Sequence, residues 1–298
     1  MTPAISVAGL TRNYRGQLAL DGVTFDAEIG SITGLLGRNG AGKTTLMRII
    51  AGHEFPSAGR VRVFGANPME NDQVLRQMVL VREDQSYPDV KVSQVLRAAS
   101  WFYPEWSADL ADELLADFGL PPGRPVKRLS RGMRSALGIV TGLAARAEVT
   151  MFDEPYAGLD AVARQVFYDR LLADYAEHPR TVLLSTHLID EAAGLLERVV
   201  VVDRGRVVLD AAADDLRGVA TRVSGPVLAV EEFTSGHPIW NRRRLGSQAS
   251  VVIVGPLSEA DRAPARGLHV VLEPLSLQEL VVHAAGHPTL AAEARTSA

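Results

Sequence analysis

The residues best suited to chemistry sit in one short stretch, Gly37-Arg38-Asn39-Gly40-Ala41-Gly42-Lys43-Thr44, whose spacing is G-x-x-x-x-G-K-[ST]. Its glycines let the backbone curl so that successive N–H groups face one anion, and a helix opening at Lys43 adds the positive end of its dipole. Lys43 is then placed to reach the β- and γ-phosphates of a nucleotide. The Thr44 hydroxyl is placed to coordinate Mg²⁺, with Thr45 next in the binding stretch. The spacing is not G-x-G-x-x-G, so a dinucleotide site of that type is excluded. A second candidate is Val149-Thr150-Met151-Phe152-Asp153-Glu154, an apolar run ending in two acids. Asp153 would hold Mg²⁺ through water, and Glu154 would polarise an attacking water as general base.

Both motifs need elements that end at the same edge of a sheet. Residues 32–36 form an apolar run that stops at the glycine loop, and residues 43–51 read as the helix after it. Residues 4–7 and 23–26 alternate like half-buried strands with Asp21-Gly22 as a turn between them, and 59–64 repeats the pattern. Residues 92–120 and 129–145 carry helical spacing, with Pro121, Pro122, Gly123 and Pro125 between them. Strands at 149–152 and 181–185 alternate with helices at 162–175 and 188–196, and a hairpin around Arg204-Gly205 follows. Alternation of this kind predicts an α/β core with a parallel sheet. Beyond residue 217 the texture changes to short strands (222–224, 239–245, 250–254, 268–272) with helices at 226–232 and 277–285, which predicts a small α+β C-terminal module over 218–298. The last dozen residues, rich in Ala, Thr and Ser, are expected to be disordered.

Composition removes several function classes. The 298 residues include no cysteine, which excludes disulfides, thiol catalysis and cysteine-ligated metals. Lys and Arg number 31 against 35 Asp and Glu, a net charge of −4 that argues against a nucleic-acid partner. The longest stretch free of charge, residues 245–258, is short and interrupted by Gly, Pro, Ser and Gln, so no membrane span is expected. The N-terminus has no charged segment leading into an apolar core, and a soluble intracellular protein is expected.

Three further segments sharpen the reading. Leu129-Ser130-Arg131-Gly132-Met133 precedes the paired acids, Glu154-Pro155-Tyr156-Ala157-Gly158-Leu159-Asp160 contains and follows them, and Leu184-Ser185-Thr186-His187 ends the next strand. In that order and spacing the chain resembles the ATP-binding subunits of ATP-binding cassette (ABC) transporters, over roughly residues 5–210, and among them the small bacterial exporter-type ATPases. The resemblance implies a P-loop NTPase cassette over residues 1–217, with a helical subdomain at about 88–135. It also implies roles residue by residue. Tyr14 takes the place of the aromatic that stacks on adenine. Ser130 and Gly132 fall in the signature motif, which closes over the γ-phosphate held by the other subunit. Asp160 falls in the loop that couples the two sites, and His187 matches the switch histidine that bonds the γ-phosphate. The usual signature reads Leu-Ser-Gly-Gly-Gln; here Arg131 and Met133 replace a Gly and the Gln, and Arg131 either faces solvent or adds charge near phosphate. Gln85 is the candidate for the glutamine that approaches metal and water, with Glu83 or Asp84 as alternatives.

The resemblance further implies ATP and Mg²⁺ as cofactors and a dimer, with a second copy or a paralogous cassette as partner. It also implies a separate integral-membrane permease and a peripheral place on the cytoplasmic face of the cell membrane. Trp101, Phe102, Tyr103 and Trp106 read either as local core or as permease contact, and Arg242-Arg243-Arg244 as a solvated strand face. The rival reading is a soluble ABC-type ATPase acting on ribosomes or DNA. It is weakened by the single cassette, the negative charge and the lack of sustained heptads between phosphate loop and signature.

Overall fold

The computed structural model describes residues 3–255 and 257–286. They form two compact units: the chain up to His187 together with Gly194–Asp210, and Leu188–Ala193 together with the chain from Ala211 onward.

In the first unit, β1 (Ile5–Tyr14) and β2 (Gln17–Ala27) pair antiparallel. Their turn is Arg15-Gly16, and Asp21-Gly22 lies inside β2 instead of forming the expected turn. The ladder runs on past that dipeptide, from Val23 to Leu20, absorbing it through register shifts. Next come β3 (Ile32–Leu36), α1 (Lys43–Ile50), β4 (Ala58–Val63), α2 (Asp72–Leu75), β5 (Met78–Arg82), α3 (Val92–Ala99), α4 (Ala108–Asp117) and α5 (Arg131–Ala144). The unit is completed by β6 (Val149–Asp153), α6 (Ala161–Glu177), β7 (Thr181–Thr186), β8 (Arg198–Asp203) and β9 (Arg206–Ala212). One sheet runs β2-β1-β4, the other β5-β6-β7-β3-β8-β9. From β5 to β8 the second sheet is parallel, and β3, β6 and β7 are buried along their whole length. Their runs (ITGLL, VTMFD, TVLLST) do not alternate because both faces are covered.

The C-terminal two thirds of α5 is buried against this sheet. A Cβ on Gly142 would sit 2.5 Å from Val81 and 2.9 Å from Phe152, so the missing side chain lets helix and sheet approach closely. That contact fixes where the N-terminus of α5, carrying Ser130 and Gly132, stands relative to the paired acids.

In the helical segment, Trp101 and Phe102 are 69% and 62% exposed, which overturns the local-core reading for these two. The chain turns out of α3 immediately before them, and the Arg97 guanidinium lies over the Trp101 ring at 5.9 Å. Tyr103 is half-buried, and desolvation pushes its hydroxyl pKa up.

The second unit contains α7 (Ile189–Ala192), β10 (Ala220–Pro226), α8 (Val227–Phe233), β11 (Ile239–Leu245), β12 (Gln248–Val254), α9 (Glu259–Gly267), β13 (Val271–Pro274) and α10 (Leu277–Gly286). Its antiparallel sheet runs β11-β12-β10-β13 over a core that includes Val223, Val230, Phe233, Val251 and Ile253. The helix expected over 188–196 shrinks to the four residues of α7, which belong to this unit because Asp190 accepts hydrogen bonds from Gln278 N–H and Ser276 Oγ at the start of α10. The expected strand at 268–272 begins at Val271, after α9. Pro264 masks α9 in the sequence; a capping box between Ser258 and Asp261 starts it. Arg242, Arg243 and Arg244 lie on the edge strand β11, and Arg243 and Arg244 are exposed. The expected disorder of residues 287–298 lies outside the described residues.

At the amino ends of β6 and β7, Asp174 of α6 bridges Arg146, at 2.8 Å, and Arg180, at 2.6 Å. The Asp174 and Arg180 side chains are each 3% exposed, and burial pulls the Arg180 pKa down against the attraction of Asp174. Removing one partner strands the other charge. Asp174→Ala is expected to destabilise the protein by about 3–5 kcal/mol, measured by urea denaturation.

Candidate functional site

The parallel registers bring the strand ends level: Leu36 pairs with Thr186, Asp153 with Ser185, and Arg82 with Asp153. The phosphate loop, the paired acids and His187 therefore leave the sheet along one edge, where ligands bind in open α/β sheets.

The loop leaves β3 at Gly37, whose φ is +147°. A Cβ there would lie 2.1 Å from the Val202 carbonyl oxygen, so only glycine fits. Arg38, Asn39 and Gly40 are exposed, Ala41 is buried, and α1 begins at Lys43 with Thr44 exposed at its first turn. Lys43 Nζ donates to Gly37 O at 2.8 Å and to Arg38 O at 3.3 Å, so the ammonium stands over the loop. Desolvation lowers the Lys43 pKa, opposed by the charges of Glu154 and Asp153.

Asp153 ends β6, buried, with Oδ1 meeting no hydrogen-bond partner. The orphaned buried carboxylate oxygen of Asp153 and the exposed Thr44 hydroxyl are oxygen donors of the kind a hard cation such as Mg²⁺ takes. Glu154 has a left-handed φ of +50°, a conformation costly for a residue with a side chain. Its Oε2 accepts from the Tyr156 hydroxyl at 3.0 Å and lies 2.6 Å from His187 Nδ1. Its Oε1 is buried without a hydrogen bond, 3.8 Å from Lys43 Nζ. The His187 ring is 54% exposed. Burial, then the charge of Glu154, pushes the Tyr156 hydroxyl pKa up, so the phenol keeps its proton.

Gln85 is not brought to this group in the way expected: its side-chain oxygen accepts from Arg82 N–H at 3.4 Å, folded back on its own strand. The residue directly after β5 is Glu83, whose N–H donates to Asp153 O at 3.1 Å. Its carboxylate pairs with Arg131, so Arg131 is exposed but engaged. Only the position of the strand end, one residue before Glu83, separates the two readings.

Ser130 caps α5, its Oγ accepting from Met133 N–H at 3.2 Å. Asp160 caps α6, its Oδ1 accepting from Ala163 N–H at 2.8 Å. Both side chains are accounted for structurally whatever else they touch. Tyr14 closes β1, with Arg12 over its ring at 4.6 Å and its hydroxyl on Glu54, while the residue stays 38% exposed. Tyr156 is the contact that sequence reasoning missed, while Glu83 stood there as an alternative to Gln85. Its place two residues after Glu154 was the available signal for Tyr156.

Comparison with known proteins follows the same residues. The family model described as "ABC transporter" matches residues 20–157. Nod factor export ATP-binding protein I of Ralstonia nicotianae is 35% identical over 212 residues, covering 69% of this chain and 66% of that one. Daunorubicin/doxorubicin resistance ATP-binding protein DrrA of Streptomyces peucetius is 33% identical over 228 residues, 72% of this chain and 67% of that one. The chain thus spans about two thirds of the curated relatives it matches. A solved ATP-binding subunit of an ABC transporter superposes with a TM-score of 0.64 at 28% identity, covering 72% of this chain and 91% of that one.

Gly132 packs against the loop before Asp160: a Cβ there would lie 2.4 Å from the Gly158 carbonyl oxygen. Gly132→Ala is expected to lower stability by about 1–3 kcal/mol through overpacking, read as a drop in the urea midpoint at unchanged slope.

Proposed function

The chain belongs to the ABC transporter family as an ATP-binding subunit, and we propose that it hydrolyses ATP in a dimer to drive export through a separate membrane permease. The observation that carries this reading is the convergence of Lys43, Asp153, Glu154 and His187 at one sheet edge, with one oxygen of each acid lacking a hydrogen-bond partner. The backbone N–H groups of Gly37 to Thr44 and the Lys43 ammonium hold the β- and γ-phosphates. Thr44 and Asp153 hold Mg²⁺, which when bound neutralises charge on those phosphates. Gln85 and Glu83 are the two candidates to reach the same metal and water.

Glu154 Oε1 takes a proton from water as the water oxygen attacks the γ-phosphorus. The bond from that phosphorus to the bridging oxygen breaks, and ADP carries the electron pair away. His187 turns from Glu154 to the γ-phosphate. Tyr14 stacks on adenine, and Ser130, Gly132 and Asp160 serve the site of the partner subunit. Nucleotide binds the closed dimer better than the open one, so its hydrolysis reopens the dimer.

Among the described residues no helix is long and apolar enough to cross a membrane; the names of the relatives support a peripheral place on a permease at the cytoplasmic face. Export, over import, is supported by the printed names of relatives concerned with Nod factor export and drug resistance. The same names favour transport over action on ribosomes or DNA. Copurification of the chain with its membrane partner tests this: a periplasmic binding protein in the same system would overturn export.

Two substitutions test the chemistry. Glu154→Gln is expected to slow ATP hydrolysis by about 10²-fold or more while leaving ATP affinity intact and accumulating a dimer in light scattering. Lys43→Ala is expected to weaken ATP binding by at least about tenfold, measured by titration with a fluorescent nucleotide.

A further inference from the structure

We propose that Tyr156 is a positioning residue for the hydrolytic step, its hydroxyl holding the Glu154 carboxylate in the orientation from which it takes the water proton. This rests on the base role given above to Glu154.

Tyr156 follows the paired acids by two residues and is 4% exposed. Its ring packs against Tyr168, with centroids 6.4 Å apart, and His187 lies at 6.0 Å. Its hydroxyl meets two oxygens, Glu154 Oε2 and the Oγ1 of Thr186 at the end of β7. An ionised carboxylate only accepts, so the single phenolic proton goes to Glu154 and Thr186 donates to the phenolic oxygen. The result is a directed chain, Thr186 to Tyr156 to Glu154, in which each bond polarises the next.

Glu154 needs such a tie, because its left-handed backbone conformation is costly and leaves the side chain without support from regular structure. Two donors face Oε2, and they differ in kind. His187 is half-exposed, and in the role given above it turns toward nucleotide. Tyr156 is buried and anchored from behind by Thr186. When His187 leaves, Tyr156 keeps Oε2 in place and Oε1 directed toward Lys43, where water and γ-phosphate would meet.

The test is Tyr156→Phe, which keeps the ring and removes the hydroxyl. Expected is a loss of about tenfold in kcat, with KM and the Kd for ATP within about twofold of the parent. In the Glu154→Gln background, single-turnover hydrolysis should fall no further, because the hydroxyl then has no carboxylate to aim. Thr186→Val, which leaves Tyr156 intact, should lower kcat in the same direction by about threefold and keeps the proposal testable should the Phe variant fold poorly. Full kcat in Tyr156→Phe beside an inactive Glu154→Gln would overturn the proposal while leaving the base assignment standing. An equal loss in both backgrounds would also overturn it, showing a role that does not pass through Glu154. Wild-type hydrolysis by Glu154→Gln would remove the base assignment and this proposal together.

Discussion

Strand register in the parallel sheet is the constraint on which everything else depends. Leu36 lies opposite Thr186, Asp153 opposite Ser185, and Arg82 opposite Asp153. Because side chains alternate with a period of two, a slip of one residue in any of these pairings would turn a functional strand end to the other face. The buried runs of β3, β6 and β7 make such a slip costly, since their strands are packed on both sides. The chemistry at the edge is thus positioned by apolar side chains that never meet nucleotide.

The two ends of this sheet treat charge differently. At the amino ends, Asp174 pairs with two arginines and serves stability, although Arg180 Nη2 is left without a hydrogen bond. At the carboxyl ends, Asp153 and Glu154 each keep a buried oxygen without a hydrogen bond, and Lys43 is desolvated. Buried polar atoms left unmatched in this way are costly to the fold, and such costs cluster where a ligand is to be bound. The candidate site is therefore one of the places where the fold departs from ordinary rules of polar satisfaction.

Much of the α/β architecture was legible because its signals are local. The phosphate loop, the paired acids and the segment ending at His187 are each read within a few residues, and the apolar runs before them announce buried strands. What escaped depends on pairings remote in sequence. The turn at Arg15-Gly16 gave way to Asp21-Gly22 in the sequence reading because a bulge inside β2 imitates a turn. The ion pair of Arg131 with Glu83 joins residues far apart along the chain, and nothing in either neighbourhood announces it. Gln85 drew attention by residue type, while Glu83 holds the backbone place beside Asp153. Exposure of Trp101 and Phe102 runs against their hydrophobicity and is visible only once the chain has turned out of α3.

The short helix α7 carries a further consequence. Its Asp190 receives the first turn of α10, so the peptide directly after His187 is folded into the C-terminal unit although sequence places it amid the cassette. Trimming the tail would therefore not be a clean excision. It would take away the hydrogen-bonding partners of a stretch nearly ninety residues upstream.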